Sequence, residues 1–144
     1  MLALSIVAAM SSSVFAADQS VPTQTTTVTY TKTESYTWSV PTTAITAGSE
    51  GEVTASNVII PHGKALTINV SGLDRDNNMT LEDTTQSANT IKAKVTFTAL
   101  VVDAGSTDGS SQTVQVAEPT GVTSAGTYTG TLTFTASVNT ASVN

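Results

Sequence analysis

From Thr25 to Val40 the chain alternates with a period of two. The odd positions Thr27, Thr29, Thr31, Thr33, Ser35, Thr37 and Ser39 all carry hydroxyls, and the even positions Val28, Tyr30, Tyr36, Trp38 and Val40 are apolar. Successive strand residues point to opposite faces of a sheet, so this spacing predicts a strand with a hydroxyl side and a core side. Lys32 and Glu34 interrupt the apolar parity and divide the stretch in two. Pro41 closes it, because proline cannot donate a ladder hydrogen bond.

The same period recurs along the chain, and helical spacing is nearly absent after the first residues. Glu52 to Ile60 reads as a strand that ends in the turn Pro61-His62-Gly63-Lys64. Ala65 to Ser71 follows, with Leu66, Ile68 and Val70 on one side, and Met79 to Leu81 is a short strand after the polar loop Asp74 to Asn78. Thr90 to Val101 sets Ile91, Ala93, Val95, Phe97 and Ala99 against Lys and Thr. Thr113 to Ala117 is brief. Tyr128 to Val138 opposes Tyr128, Leu132, Phe134, Ala136 and Val138 to a row of Thr and Ser. Seven or eight short antiparallel strands joined by polar turns predict an all-β fold, an antiparallel β-sandwich of immunoglobulin-like, Greek-key type.

Composition bears on what such a sandwich does. Of 144 residues, 29 are Thr and 17 are Ser, while only 11% are charged, so hydroxyls supply most of the polarity. Spaced Val, Ile, Leu and aromatic residues argue against disorder. A net charge of −6 argues against a nucleic-acid partner, since it repels the phosphate backbone. With no cysteine, zinc fingers, thiol chemistry and iron–sulfur clusters are excluded, and the domain must stand on its core. No cofactor is expected.

Residues 1–16 (MLALSIVAAMSSSVFA) have the character of a secretory signal peptide. A short apolar run ends in Val14-Phe15-Ala16, with small residues where signal peptidase needs them. The run is far shorter than the roughly 20 residues that span a bilayer, so no transmembrane segment is expected in the mature chain. No Lys or Arg precedes it, which departs from the usual pattern. The expected organisation is residues 1–16 as signal peptide, 17–35 as an N-terminal extension or donor-type strand, and 36–144 as the sandwich. The expected location is extracellular or on the cell surface.

Three stretches, Tyr36-Thr-Trp-Ser-Val-Pro41, Ile59-Ile-Pro-His-Gly-Lys-Ala-Leu-Thr-Ile-Asn-Val70 and Ser124-Ala-Gly-Thr-Tyr-Thr-Gly-Thr-Leu-Thr-Phe-Thr135, resemble small secreted β-sandwich surface proteins of Gram-positive bacteria. The Gly-x-Tyr entry to a Thr-alternating last strand is also similar to that of immunoglobulin-like pilus subunits. The resemblance spans roughly Tyr36 to Val138 and implies an extracellular structural or adhesive role with no catalytic residues to carry over. It leaves Val21 to Ser35 outside the sandwich. Alternating Val28 and Tyr30 give that segment the form of an assembly strand able to pair with a sheet edge of a neighbouring subunit, the alternative being a first strand paired within its own domain.

Other motifs have plainer structural readings beside their functional ones. Asp74, Asp76, Asn78 and Glu82 place oxygen ligands at alternate positions, as calcium loops do, but the stretch lacks the glycine and the closing glutamate of an EF-hand and reads more readily as a polar loop. His62, the single histidine, reads as a turn residue rather than as a ligand or base. The Thr rows suit an exposed strand face better than ice binding. Lys32 and Asn139 stand in the order needed for an intramolecular isopeptide bond, with mismatched facing. The expected function is therefore that of a non-enzymatic structural or adhesive surface protein that self-associates into pilus-like fibres. The alternative is a non-catalytic binding module for a glycan or host protein.

Overall fold

The structure is a computed structural model that describes residues 26–106 and 108–141. Residues 1–16, read above as a signal peptide, lie outside the described residues, as does the start of the N-terminal extension. The described residues fall into two compact units, one ending at Thr33 and the other beginning at Glu34.

Among the described residues the fold is all-β. Nine strands, β1 (Ser35–Ser39), β2 (Ser49–Ile59), β3 (Lys64–Ser71), β4 (Asn78–Asp83), β5 (Thr90–Thr96), β6 (Leu100–Asp103), β7 (Ser110–Val116), β8 (Tyr128–Thr129) and β9 (Thr133–Thr140), form two sheets. The larger has the order β1-β2-β7-β5-β4-β8 and the smaller the order β6-β3-β9, and every pairing is antiparallel. Many neighbours are not consecutive in sequence, because the chain crosses between sheets, as β-sandwich connections do. The expected antiparallel β-sandwich is the fold.

Alternation explains the core directly. Val53, Ala55 and Val58 of β2, Leu66 and Ile68 of β3, Met79 and Leu81 of β4, Ala93 and Val95 of β5, Leu100 and Val102 of β6, and Val114 and Val116 of β7 are all buried in one cluster. Burying a side chain of Val or Leu size fully stabilises the fold by about 1.5–3 kcal/mol before entropy is counted. The edge strands β1, β8 and β9 contribute only partly buried residues, among them Trp38, Tyr128, Phe134, Ala136 and Val138.

Two long alternating stretches divide. Thr90 to Val101 becomes β5 and β6, with Phe97 to Ala99 between them. Its inward parity changes on the way: Ala93 and Val95 are buried in the large sheet, whereas Leu100 and Val102 are buried in the small one and Val101 is 56% exposed. The sheet change shifts the phase by one residue, and three consecutive apolar residues, Leu100-Val101-Val102, conceal the shift in the sequence. Tyr128 to Val138 divides without a phase change. It breaks at Gly130, where an added Cβ would lie 2.6 Å from the Thr80 carbonyl oxygen and 2.8 Å from side-chain carbons of Met79 and Leu81. Only glycine lets the crossing segment approach β4 this closely.

The first stretch is also shorter than alternation predicts. Residues 26–34 are not in a strand, and β1 begins at Ser35. A strand requires a backbone partner as well as the right side-chain pattern.

Candidate functional site

Val28 and Tyr30, the residues expected in an assembly strand, are 87% and 70% exposed. They are among the most exposed large apolar side chains of the described residues, and they sit in a run, Gln19 to Thr31, that contains no charged residue.

Of the four described sheet edges, three are short or blunted. The β1–β2 ladder shifts register between Ser35 and Thr37. The extra residue lies on β2, where Asn57 takes a φ of 52°, a left-handed conformation that asparagine tolerates better than most residues. Glu34 and Pro41 flank that edge. Strand β6 has four residues and ends in Asp103, and β8 has two. The last edge, β9, differs in each respect. It is eight residues long, pairs with β3 without a shift from Thr133 to Thr140, and contains neither charge nor proline. Phe134, Ala136 and Val138 on its inner face are half-buried, and Phe134 meets Phe97 edge-on with ring centroids 5.5 Å apart.

Next to the β8–β9 crossing, Val40 to Ala47 and Gly126 to Leu132 border a groove of about 730 Å³. Met79, Leu81, Val116 and Phe134 also line it, and none of its lining residues is charged. A second groove of about 640 Å³ between the ends of β3 and β5 contains Asp74 and Lys94. Among the described residues no group of three or more His, Asp or Glu side chains is arranged to hold a metal ion.

The residues of the calcium-like stretch separate. Asp74 Oδ1 accepts hydrogen bonds from the backbone N–H groups of Asp76 and Asn78, both at 2.9 Å, and from Asn78 Nδ2 at 3.1 Å. Its Oδ2 accepts from Lys92 Nζ at 2.7 Å. The Lys92 ammonium, helped by the Asn78 N–H, holds the Asp74 carboxyl well below the usual carboxylate range, and Asp74 in turn raises the Lys92 pKa. The carboxylate thus serves as the pin of its own loop. Glu82 lies four residues along β4 from Asn78, roughly 13 Å by strand rise. His62 is exposed in its turn, which the Lys64 N–H closes onto the Pro61 carbonyl at 3.1 Å. The Asn139 side chain donates to Ser137 Oγ at 2.9 Å.

A polar knot beside β8 has no counterpart among the sequence-based expectations. Asp83, 6% exposed, accepts at Oδ1 from the Thr85 N–H (2.8 Å), the Thr85 hydroxyl (2.7 Å) and the Gln86 N–H (3.3 Å). These bonds, chiefly from Thr85, lower its pKa against the opposing effect of burial. Across the turn, Tyr128 Oη accepts from Asn89 Nδ2 at 2.8 Å and donates to the Ser124 carbonyl at 3.1 Å. The sequence signal for the knot is Asp83-Thr-Thr85, in which a short acidic side chain reaches the N–H two residues ahead. Asp74 and Asp83 thus hold loops, whereas the exposed, uncharged segment around Val28 and Tyr30 and the unblunted β9 edge have no such task. No family model matches this chain, and no curated protein matches it significantly.

Proposed function

We propose that the protein is an extracellular structural or adhesive surface protein that self-associates into fibres through its N-terminal segment. The observation that carries this reading is the exposure of Val28 and Tyr30 on a segment with strand patterning that is not in a strand. Such a segment gains backbone hydrogen bonds and apolar burial by adding to the sheet of another subunit. Head-to-tail addition is a heterologous contact, which propagates as a filament when its rotation does not close a ring. The leader-like residues 1–16 and the resemblance to secreted Gram-positive sandwiches support an extracellular setting. Among the described residues no helix is long and apolar enough to cross a membrane.

The test compares residues 17–144 with the same chain lacking Val21 to Glu34, by negative-stain microscopy and sedimentation. The full mature chain is expected to form filaments, and the shortened one to remain a folded monomer. A mature chain that sediments as a monomer at every concentration overturns the reading, and retention of a glycan by that monomer favours a binding module instead.

A further inference from the structure

Resting on the fibre reading, we infer that the acceptor for the N-terminal segment is the outer edge of β9 in a second copy of this chain, and that Val28 and Tyr30 cover the half-buried inner face of that strand. The argument starts from what folded sheets do with edges. An open edge presents unpaired N–H and C=O groups, and monomeric proteins blunt it with charge, proline, bulges or shortness. Here β1 has a bulged ladder with Glu34 and Pro41 at its ends, β6 stops after four residues at Asp103, and β8 has two residues. Strand β9 has none of these devices over Thr133–Thr140.

Length and chemistry select the occupant. The segment from Thr26 to Thr33 supplies eight residues for an edge of eight, with hydroxyls at Thr27, Thr29 and Thr31 and apolar side chains at Val28 and Tyr30. Lys32 shares their parity but stands at the segment's end, where a long side chain carries its charge past the rim into water. Laid beside β9, this alternation continues both faces of the small sheet: Thr and Ser outward in line with Thr133, Thr135 and Ser137, and apolar side chains inward in line with Phe134, Ala136 and Val138. The inward positions of β9 are the ones left half-buried, so an added strand covers apolar surface that β3 alone does not cover. Charge permits the approach as well. Two copies each carrying −6 repel, yet neither Gln19 to Thr31 nor Thr133 to Thr140 contains a charged residue, and the groove beside the β8–β9 crossing is uncharged too. Contact between these two regions therefore brings no like charges together.

Because the native chain has no cysteine, single introduced thiols report the pairing. Full mature chains carrying Thr29→Cys are mixed during assembly with chains carrying Thr133→Cys, Thr135→Cys or Ser137→Cys on β9, or Thr37→Cys on β1. Mild oxidation follows, and the disulfides are identified by peptide mass spectrometry. Four of these positions are exposed and Ser137 is half-exposed, so the substitutions leave the core intact. The expected result is a mixed disulfide from position 29 to one β9 position in about tenfold excess over that to position 37, as a held pair has over a chance encounter. Filaments whose mixed disulfides favour position 37, or whose main product joins β9 to β9, overturn the acceptor assignment while leaving the fibre reading in place. A doubly substituted Thr29→Cys, Thr135→Cys chain that closes its disulfide within one monomer, with no mixed product, also overturns it, because the segment then pairs in its own domain. Absence of filaments under all conditions removes the fibre reading and this inference with it.

Discussion

Strands β3 and β9 lie side by side in the small sheet, pair residue for residue from Lys64–Thr140 to Ser71–Thr133, and alternate equally well in sequence. Their burial differs. Ala65, Leu66 and Ile68 of β3 are almost wholly removed from solvent, whereas Phe134, Ala136 and Val138 of β9 are only partly covered. Edge position alone does not explain this, because β6, the other edge of the small sheet, keeps Leu100 and Val102 buried by packing across the core against β2 and β7. Among the described residues no strand of the large sheet covers β9 to that extent. An alternating pattern specifies which face turns inward, and the cover supplied by the facing sheet decides how much of that face water can reach.

Truncations measure that difference most directly. Leu66→Ala removes a fully buried side chain from the centre of the cluster and is expected to destabilise the fold by about 2–5 kcal/mol in urea unfolding. Val138→Ala, on the half-covered strand, is expected to cost about 1 kcal/mol or less in the monomer. Equal losses would mean that β9 is packed as tightly as β3, and the proposed docking edge would lose its physical basis.

A smaller effect probes how the chain reaches β9. Gly130→Ala forces a methyl group against the Thr80 carbonyl and the Met79 and Leu81 side chains, and overpacking of this kind costs about 1–3 kcal/mol. A backbone oxygen moves less readily than a side chain, so the strain should appear as a lower Tm with β8 displaced from β4. An unchanged Tm would show that the crossing has room to relax.

Much of this fold is legible in the sequence because period two is written plainly. Leu66-Thr-Ile68 and Ala93-Lys-Val95 announce their inward faces, and the turn at Pro61 to Lys64 is where its proline and glycine place it. Sheet membership is less legible. The crossing between Val95 and Leu100 hides behind Leu100-Val101-Val102, and the one at Gly130 leaves the parity intact, so each pair of strands reads as one. The candidate site divides in the same way. Exposure of Val28 and Tyr30 follows from a local pattern that lacks a partner, but the open edge of β9 depends on which strands lie beside it, and that is a long-range fact. The ion pair of Asp74 is equally hidden, because Asp74 lies in the loop before β4 and its partner Lys92 on β5.

The mildest predicted effect separates the two edges that flank the β8–β9 crossing. The β8 edge is held through Asp83, whose carboxylate organises the turn after β4 and whose backbone pairs with Tyr128, while β9 from Thr133 to Thr140 has no titratable group. The Asp83 pKa in the fold lies below its unfolded value of about 3.9, and the same holds for Asp74 in its loop. A depressed carboxyl binds its proton more readily in the unfolded chain, so its contribution to stability is complete above that unfolded value and is lost as pH falls through the folded one. As pH falls below about 4, amide-exchange protection at Thr85 and Gln86, corrected for intrinsic rates, should therefore fall before protection in β9 does. Asp83→Asn should remove most of this acid response at the turn, leaving β9 as it was. If both edges lose protection together in the native chain, they open as one cooperative unit, and an exposed β9 edge independent of its neighbour is the wrong picture of this sandwich.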